Sequence, residues 1–132
     1  MHLAVYKTRP DVNAIVHTYP VTATFFTLTD CPINLRLTGE AHTAFGRVVR
    51  IPYALMGTPE LAAAVAEYLR NCDCGLMDNH GVIMLGKSLL FAFDKMKLLV
   101  CAAKQMLMSS SLPGRELTSG RLDELDRFAG RE

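Results

Sequence analysis

An α/β fold, with helices laid on the faces of a sheet, is what this chain of 132 residues predicts. Three observations carry it. Val12, Ile15 and Val16 form a β-branched run ending at His17, where a strand hands over to a turn. Two further apolar stretches, 75–79 and 82–85, pivot at His80-Gly81. Between and after these strands lie segments of helical period, the longest following the Ser88 cap to about Met108. Periodicity alone leaves open whether the strands run parallel or antiparallel.

The elements follow in order. Residues 2–7 read as the last turns of a helix, stopped by Thr8-Arg9-Pro10, before a strand over 12–17. Pro20 then opens a helix, where its missing N–H is harmless. Val21, Thr24, Phe25 and Leu28 share one face of it, and Asp30-Cys31-Pro32 ends it. Residues 33–46 resist assignment, and Thr38–His42 reads as a loop. Val48–Ile51 is a strand. Thr58 caps the next helix, Pro59 takes its first position and Glu60 sits near the positive end of its dipole. That helix runs to about Asn71 with Leu61, Val65, Tyr68 and Leu69 facing inward. Ser88 caps the long helix, whose apolar face holds Leu89, Phe93, Met96, Leu99, Val100, Ala103 and Met106. Ser109–Gly114 breaks it, and 118–129 forms a final amphipathic helix with Leu122, Leu125 and Phe128 as its stripe.

Size and composition fit a single domain over 1–132. Half the residues are hydrophobic, a fifth are charged and the formal net charge is +1. That balance lacks the basic stripe that nucleic acid or an anionic membrane would ask for. No apolar run reaches the length of a bilayer span, and residues 1–7 lack signal-peptide order, so the chain reads as cytoplasmic. Cys31, Cys72, Cys74 and Cys101 do not suggest a disulfide framework. Cys72-x-Cys74 has one intervening residue where a zinc ribbon has two, and reads as a pair of buried thiols between a helix and a strand.

The chemistry lies in the histidines. His17 and His80 each stand at a strand end, far apart in sequence, which is how an open α/β fold builds a metal site. Strand side chains repeat every second residue, so position 19 shares a face with position 17, and it holds Tyr19. His2 reads as a surface residue.

The blocks Tyr6-x-x-Arg9-Pro10-Asp11-Val12-Asn13-Ala14-Ile15-Val16-His17-Thr18, Pro52-Tyr53, Gly57-Thr58-x-Glu60-Leu61, Asn79-His80-Gly81 and Gly86-Lys87-Ser88-Leu89 resemble the class II aldolase/adducin family. The likeness runs in order from residue 2 to about residue 108. It implies a three-layer α/β/α sandwich with a mainly antiparallel central sheet, incomplete at the N-terminus, in a homo-oligomer with sites between subunits. It also implies retro-aldol cleavage of a sugar phosphate at a divalent metal, usually Zn2+, held by three histidines. By motif position His17 and His80 correspond to two of those ligands, and Tyr19 occupies the place of the third. A phenol, with an unperturbed pKa of about 10, is a poorer ligand at neutral pH than imidazole.

The family's catalytic carboxylate and phosphate-gripping segment would lie upstream of Met1. Glu40 is the candidate substitute for that carboxylate, and His42 the candidate replacement ligand. On the long helix, Leu98 and Val100 stand where relatives often carry a glutamate. Three readings follow: an aldolase-type lyase impaired in this chain, a non-catalytic interaction module as in adducin, or a fragment of a larger aldolase.

Overall fold

The computed structural model describes residues 1–131. Helix α1 (His2–Thr8) leads into strand β1 (Ala14–Thr18), then helix α2 (Val21–Phe25) and a 3-10 turn over 26–28. Helix α3 (Gly39–Phe45), strand β2 (Val49–Ile51), helix α4 (Pro59–Tyr68) and strands β3 (Cys74–Met77) and β4 (Gly81–Gly86) follow. Helix α5 (Leu89–Met108) and helix α6 (Ser119–Phe128) complete the chain.

The sheet has the order β1-β4-β3-β2. β4 pairs antiparallel with both β1 and β3, whereas β2 runs parallel to β3. The sheet is therefore mixed. The parallel pair follows from its connection, because α4 carries the chain from the end of β2 back to the start of β3. β4 lies between two strands and under helices on both faces, so its whole run Gly81–Gly86 is buried.

Alternation along the strands divides the core in two. Cys74, Leu76, Val82 and Met84 meet Ala23, Phe26, Met96 and Leu99 on one face of the sheet. Ile51, Met77, Ile83 and Leu85 meet Val5, Leu61, Val65 and Leu69 on the other. This is an α/β/α sandwich, with α1 and α4 on one side and α2, α3 and α5 on the other.

Helix starts at Thr58 and Ser88 form as the capping chemistry dictates, each side chain accepting a hydrogen bond from the backbone N–H three residues on. Several faces differ from expectation. On α2 and the 3-10 turn after it, Val21 is 86% exposed and Phe25 and Leu28 also face outward, while Ala23 and Phe26 are buried. On α5, Leu89 and Phe93 are exposed, and Ala92, Ala102 and Ala103 are buried beside Met96 and Leu99. Tyr68 and Phe128 point outward too. One cause is common to α2 and α5: both contribute alanines to a shared core cluster, and small side chains let helix and sheet backbones approach closely.

The segment read as a loop around Thr38 is a helix. Thr38 accepts from Ala41 N–H and starts α3, which places Glu40 in its first turn and His42 on its body. Cys72 and Cys74 are buried free thiols; the Cys72 thiol donates toward the carbonyls of Arg47 and Cys74. Among the described residues no helix is long and apolar enough to cross a membrane.

Candidate functional site

His17 lies on β1 opposite Ile83 of β4, near the end of the sheet where β3 turns into β4. Its Nδ1 sits 3.0 Å from the carbonyl oxygen of Val82. A carbonyl only accepts, so Nδ1 carries the proton and the Nε2 lone pair faces away from the strand. Tyr19 follows just beyond β1, and its hydroxyl lies 3.1 Å from His17 Nε2. With that tautomer the Tyr19 O–H donates to His17.

The β3–β4 turn, Asp78-Asn79-His80, delivers the second imidazole. Asn79 adopts φ +53°, a left-handed conformation that Asn tolerates better than most residues. Its N–H donates to the Thr27 carbonyl, and those of Asp78 and His80 donate to Ile51 and Met77. Arg50 pins the turn from below, its Nε 2.6 Å from Asp78 Oδ1, while its Nη1 and Nη2 groups donate to the carbonyls of Phe26, Thr27 and Thr29. Arg50 thus joins β2, the 3-10 turn and the histidine turn. It carries no motif signal in the sequence.

The two imidazoles meet. Their centroids are 5.1 Å apart with planes at 90°, and His80 Nε2 lies 3.5 Å from the same Tyr19 hydroxyl. The Tyr19 ring stacks on His80 at 5.8 Å and 24°, and meets His17 edge-on at 5.0 Å. It also rests on Gly81, where an added Cβ would come within 2.7 Å of Tyr19 Cδ1. His80 Nδ1 is buried without a hydrogen-bond partner. Burial first and the adjacent His17 second hold the His80 imidazole below its ordinary pKa. His2, exposed on α1, comes within 6.3 Å of His17 between centroids, a neighbour its sequence position did not disclose.

The other candidates lie elsewhere. His42 Nε2 is 2.9 Å from Asp126 Oδ1 on α6, a contact that fixes α3 against α6. Glu40 borders a cleft with Leu98, Cys101 and Gln105 of α5. It makes no hydrogen bond or ion pair with His17, Tyr19 or His80. Among the described residues no three His, Cys, Asp or Glu side chains gather as a metal-binding group. The groups that could hold a divalent metal are therefore His17 and His80, with the Tyr19 oxygen between them. Two imidazoles and an oxygen form a donor set that Zn2+ accepts, and the His17 Nε2 lone pair would be freed for it when the Tyr19 O–H turns away or loses its proton.

This fold and pair of histidines define a class. The chain belongs to the class II aldolase and adducin family: residues 1–107 match the family's N-terminal domain. Among proteins it is similar to, an L-fuculose phosphate aldolase of Methanocaldococcus jannaschii is 35% identical over 109 residues, or 83% of this chain and 59% of that protein. A 5-methylthioribulose-1-phosphate/5-deoxyribulose-1-phosphate aldolase of Escherichia coli is 34% identical over 89 residues, or 67% of this chain and 42% of that protein. The crystal structure of YgbL from Escherichia coli superposes with a TM-score of 0.86 at 29% identity, covering 94% of this chain and 62% of that one. The chain thus spans a little over half the length of the M. jannaschii relative.

Proposed function

We propose that this chain is the metal-binding part of an aldolase-type lyase that cleaves a sugar phosphate by a retro-aldol reaction. The observation that carries the reading is the meeting of His17, from β1, and His80, from the β3–β4 turn, on one shared oxygen. A bound divalent metal, Zn2+ foremost, would supply Lewis acidity to an oxygen on which negative charge develops as the carbon–carbon bond breaks. The chain's own residues prepare that place. Val82 fixes the His17 tautomer, the Arg50-held turn sets His80, and Gly81 admits the Tyr19 ring against both. A ketose 1-phosphate is the proposed substrate class, the cytoplasm the proposed compartment and a homo-oligomer the proposed state.

Activity is proposed to be impaired in the chain as it stands. Among the described residues no carboxylate hydrogen-bonds to the cluster, and a positioned acid–base group contributes about 10²–10⁴-fold to such a reaction. That same observation favours the second reading, a non-catalytic interaction module as in adducin. The deciding assay incubates purified protein and Zn2+ with L-fuculose 1-phosphate and with 5-methylthioribulose 1-phosphate. Aldehyde and ketone phosphate products, formed slowly and lost in His17→Ala, are the expected result. No product above the His17→Ala background with either substrate would leave the interaction module as the reading.

A further inference from the structure

We propose that Tyr19 is a metal ligand in its own right, its phenolate oxygen completing with His17 and His80 a two-nitrogen, one-oxygen site for a divalent cation. This rests on the metal-binding reading above and turns its candidate oxygen into an assigned ligand, as the phenolate.

Geometry is the first argument. Ligands at roughly 2.0–2.1 Å from a tetrahedral zinc stand about 3.3 Å from one another. The Tyr19 oxygen lies 3.1 Å from one imidazole Nε2 and 3.5 Å from the other, on either side of that edge length. Imidazoles converging on a common ion at tetrahedral angles place their centroids about 5 Å apart, and these are 5.1 Å apart.

The second argument is that the oxygen is held in place. Tyr19 is 57% exposed overall, yet its ring is fixed on three sides by Gly81, by stacking on His80 and by edge contact with His17. A hydroxyl delivered this way needs little reorganisation to bind. Gly81 has a specific part in this, since a Cβ there would displace the ring.

The third argument is the competition for the place. His42 is bound to Asp126, Glu40 faces α5, and no other His, Cys, Asp or Glu completes a group of three among the described residues. His2 is exposed on α1, and its ring lies farther from His17 than the rings of Tyr19 and His80 do. Binding forms a metal–oxygen bond and breaks the phenol O–H bond, the proton leaving to buffer.

The test uses the intact chain with metal alone. Zn2+ is titrated calorimetrically into the parent, Tyr19→Phe, Tyr19→His and His17→Ala, with circular dichroism confirming that each variant is folded. Cu2+ is then titrated while the phenolate-to-copper charge-transfer absorption is followed. The expected result is one Zn2+ per chain, held on the order of tenfold or more tighter by the parent than by Tyr19→Phe. The Cu2+ absorption should appear in the parent and be absent from Tyr19→Phe and Tyr19→His. Equal affinity of parent and Tyr19→Phe, or a Cu2+ complex without that absorption, overturns the inference. If His17→Ala also abolishes binding in that case, the two-histidine reading survives without Tyr19. Binding by Tyr19→His alone shows that Tyr19 closes the site, which overturns the inference and keeps the location. Binding by neither overturns the inference and the underlying reading together.

Discussion

The two ends of the sheet are both polar, but they are held very differently. At the end where β1 and β3 begin, Arg9 has an acceptor for every N–H of its guanidinium: both oxygens of Asp11, one of Asp73, and the carbonyls of Leu69 and Cys72. Lys95 reaches the remaining Asp73 oxygen at 3.3 Å. At the far end, His17, Tyr19 and His80 share one hydroxyl, and a buried His80 nitrogen has no partner. One sequence block, Arg9 through His17, spans both ends. Its first half closes the fold with a filled guanidinium network, and its second half ends at His17, which shares the Tyr19 hydroxyl with His80. A motif read as a unit therefore contains a latch and a site.

The largest expected effect comes from opening the latch. Arg9 is 14% exposed, and Arg9→Ala leaves Asp73 and two carbonyls short of a donor. Removing one partner of such a network should cost on the order of 3 kcal/mol, read as a lower urea midpoint at unchanged slope. Arg9→Lys should recover little of it, because an ammonium cannot reproduce the planar fork. Zn2+ affinity of the folded fraction should not move. A large loss of metal affinity in Arg9→Ala would erase the distinction between the two ends.

A smaller effect is expected from Gly81→Ala. The new methyl meets Tyr19 Cδ1 at 2.7 Å and the Thr18 carbonyl at 3.0 Å, so the ring must shift. Overpacking of this kind should cost about 1–2 kcal/mol. Metal binding should weaken more than stability does, as paired calorimetry and urea titration would show. A stability loss matching that of Arg9→Ala would mean that the histidine end is itself structural.

The smallest effects concern acid, measured on metal-free protein. His80 is held below its ordinary 6.5 by burial and then by His17, so the unfolded chain takes up that proton more readily. Its contribution to stability is present above 6.5 and is lost as pH falls through the lowered folded value. Asp11 is held below 3.8, first by its hydrogen bonds from Arg9, so its contribution is lost at still lower pH. Urea midpoints against pH should therefore fall in two stages. His80→Asn should shrink the upper stage, to which the likewise lowered His2 also contributes, and Asp11→Asn the lower, to which Asp126 contributes beside Arg131. A single stage abolished by either substitution would show the ends to be coupled.

Much of this was legible in the chain. Thr58-Pro59 and Ser88 announced their helices through capping chemistry that acts over three residues, and β-branched runs marked the strands. Thr38 makes the same cap, yet its segment reads as a loop because no apolar stripe follows it: α3 buries Ala41 rather than large side chains. The faces of α2 and α5 were misjudged for a related reason. Spacing weighs large apolar residues, whereas this interface is built from Ala23, Ala92, Ala102 and Ala103. The parallel pairing of β2 with β3 depends on where α4 returns the chain, which neither strand encodes. At the site, the positions of His17, Tyr19 and His80 were readable from motif and alternation. Their shared hydroxyl, the Val82 contact and the role of Arg50 depend on β1–β4 register and on a turn held from outside.

The β1–β4 pairing also bears on how the molecule comes together in time. His80 sits on a short connection between adjacent strands that can close locally, but Val82 and His17 are 65 residues apart and Tyr19 and His80 are 61 apart. Contacts of such separation carry the greater chain-entropy penalty and depend on long-range docking. At the proposed metal site, chelation would consequently strengthen only as β1 arrives. During refolding, a metal ion at this place would report completion of the sheet and leave earlier steps unaccelerated.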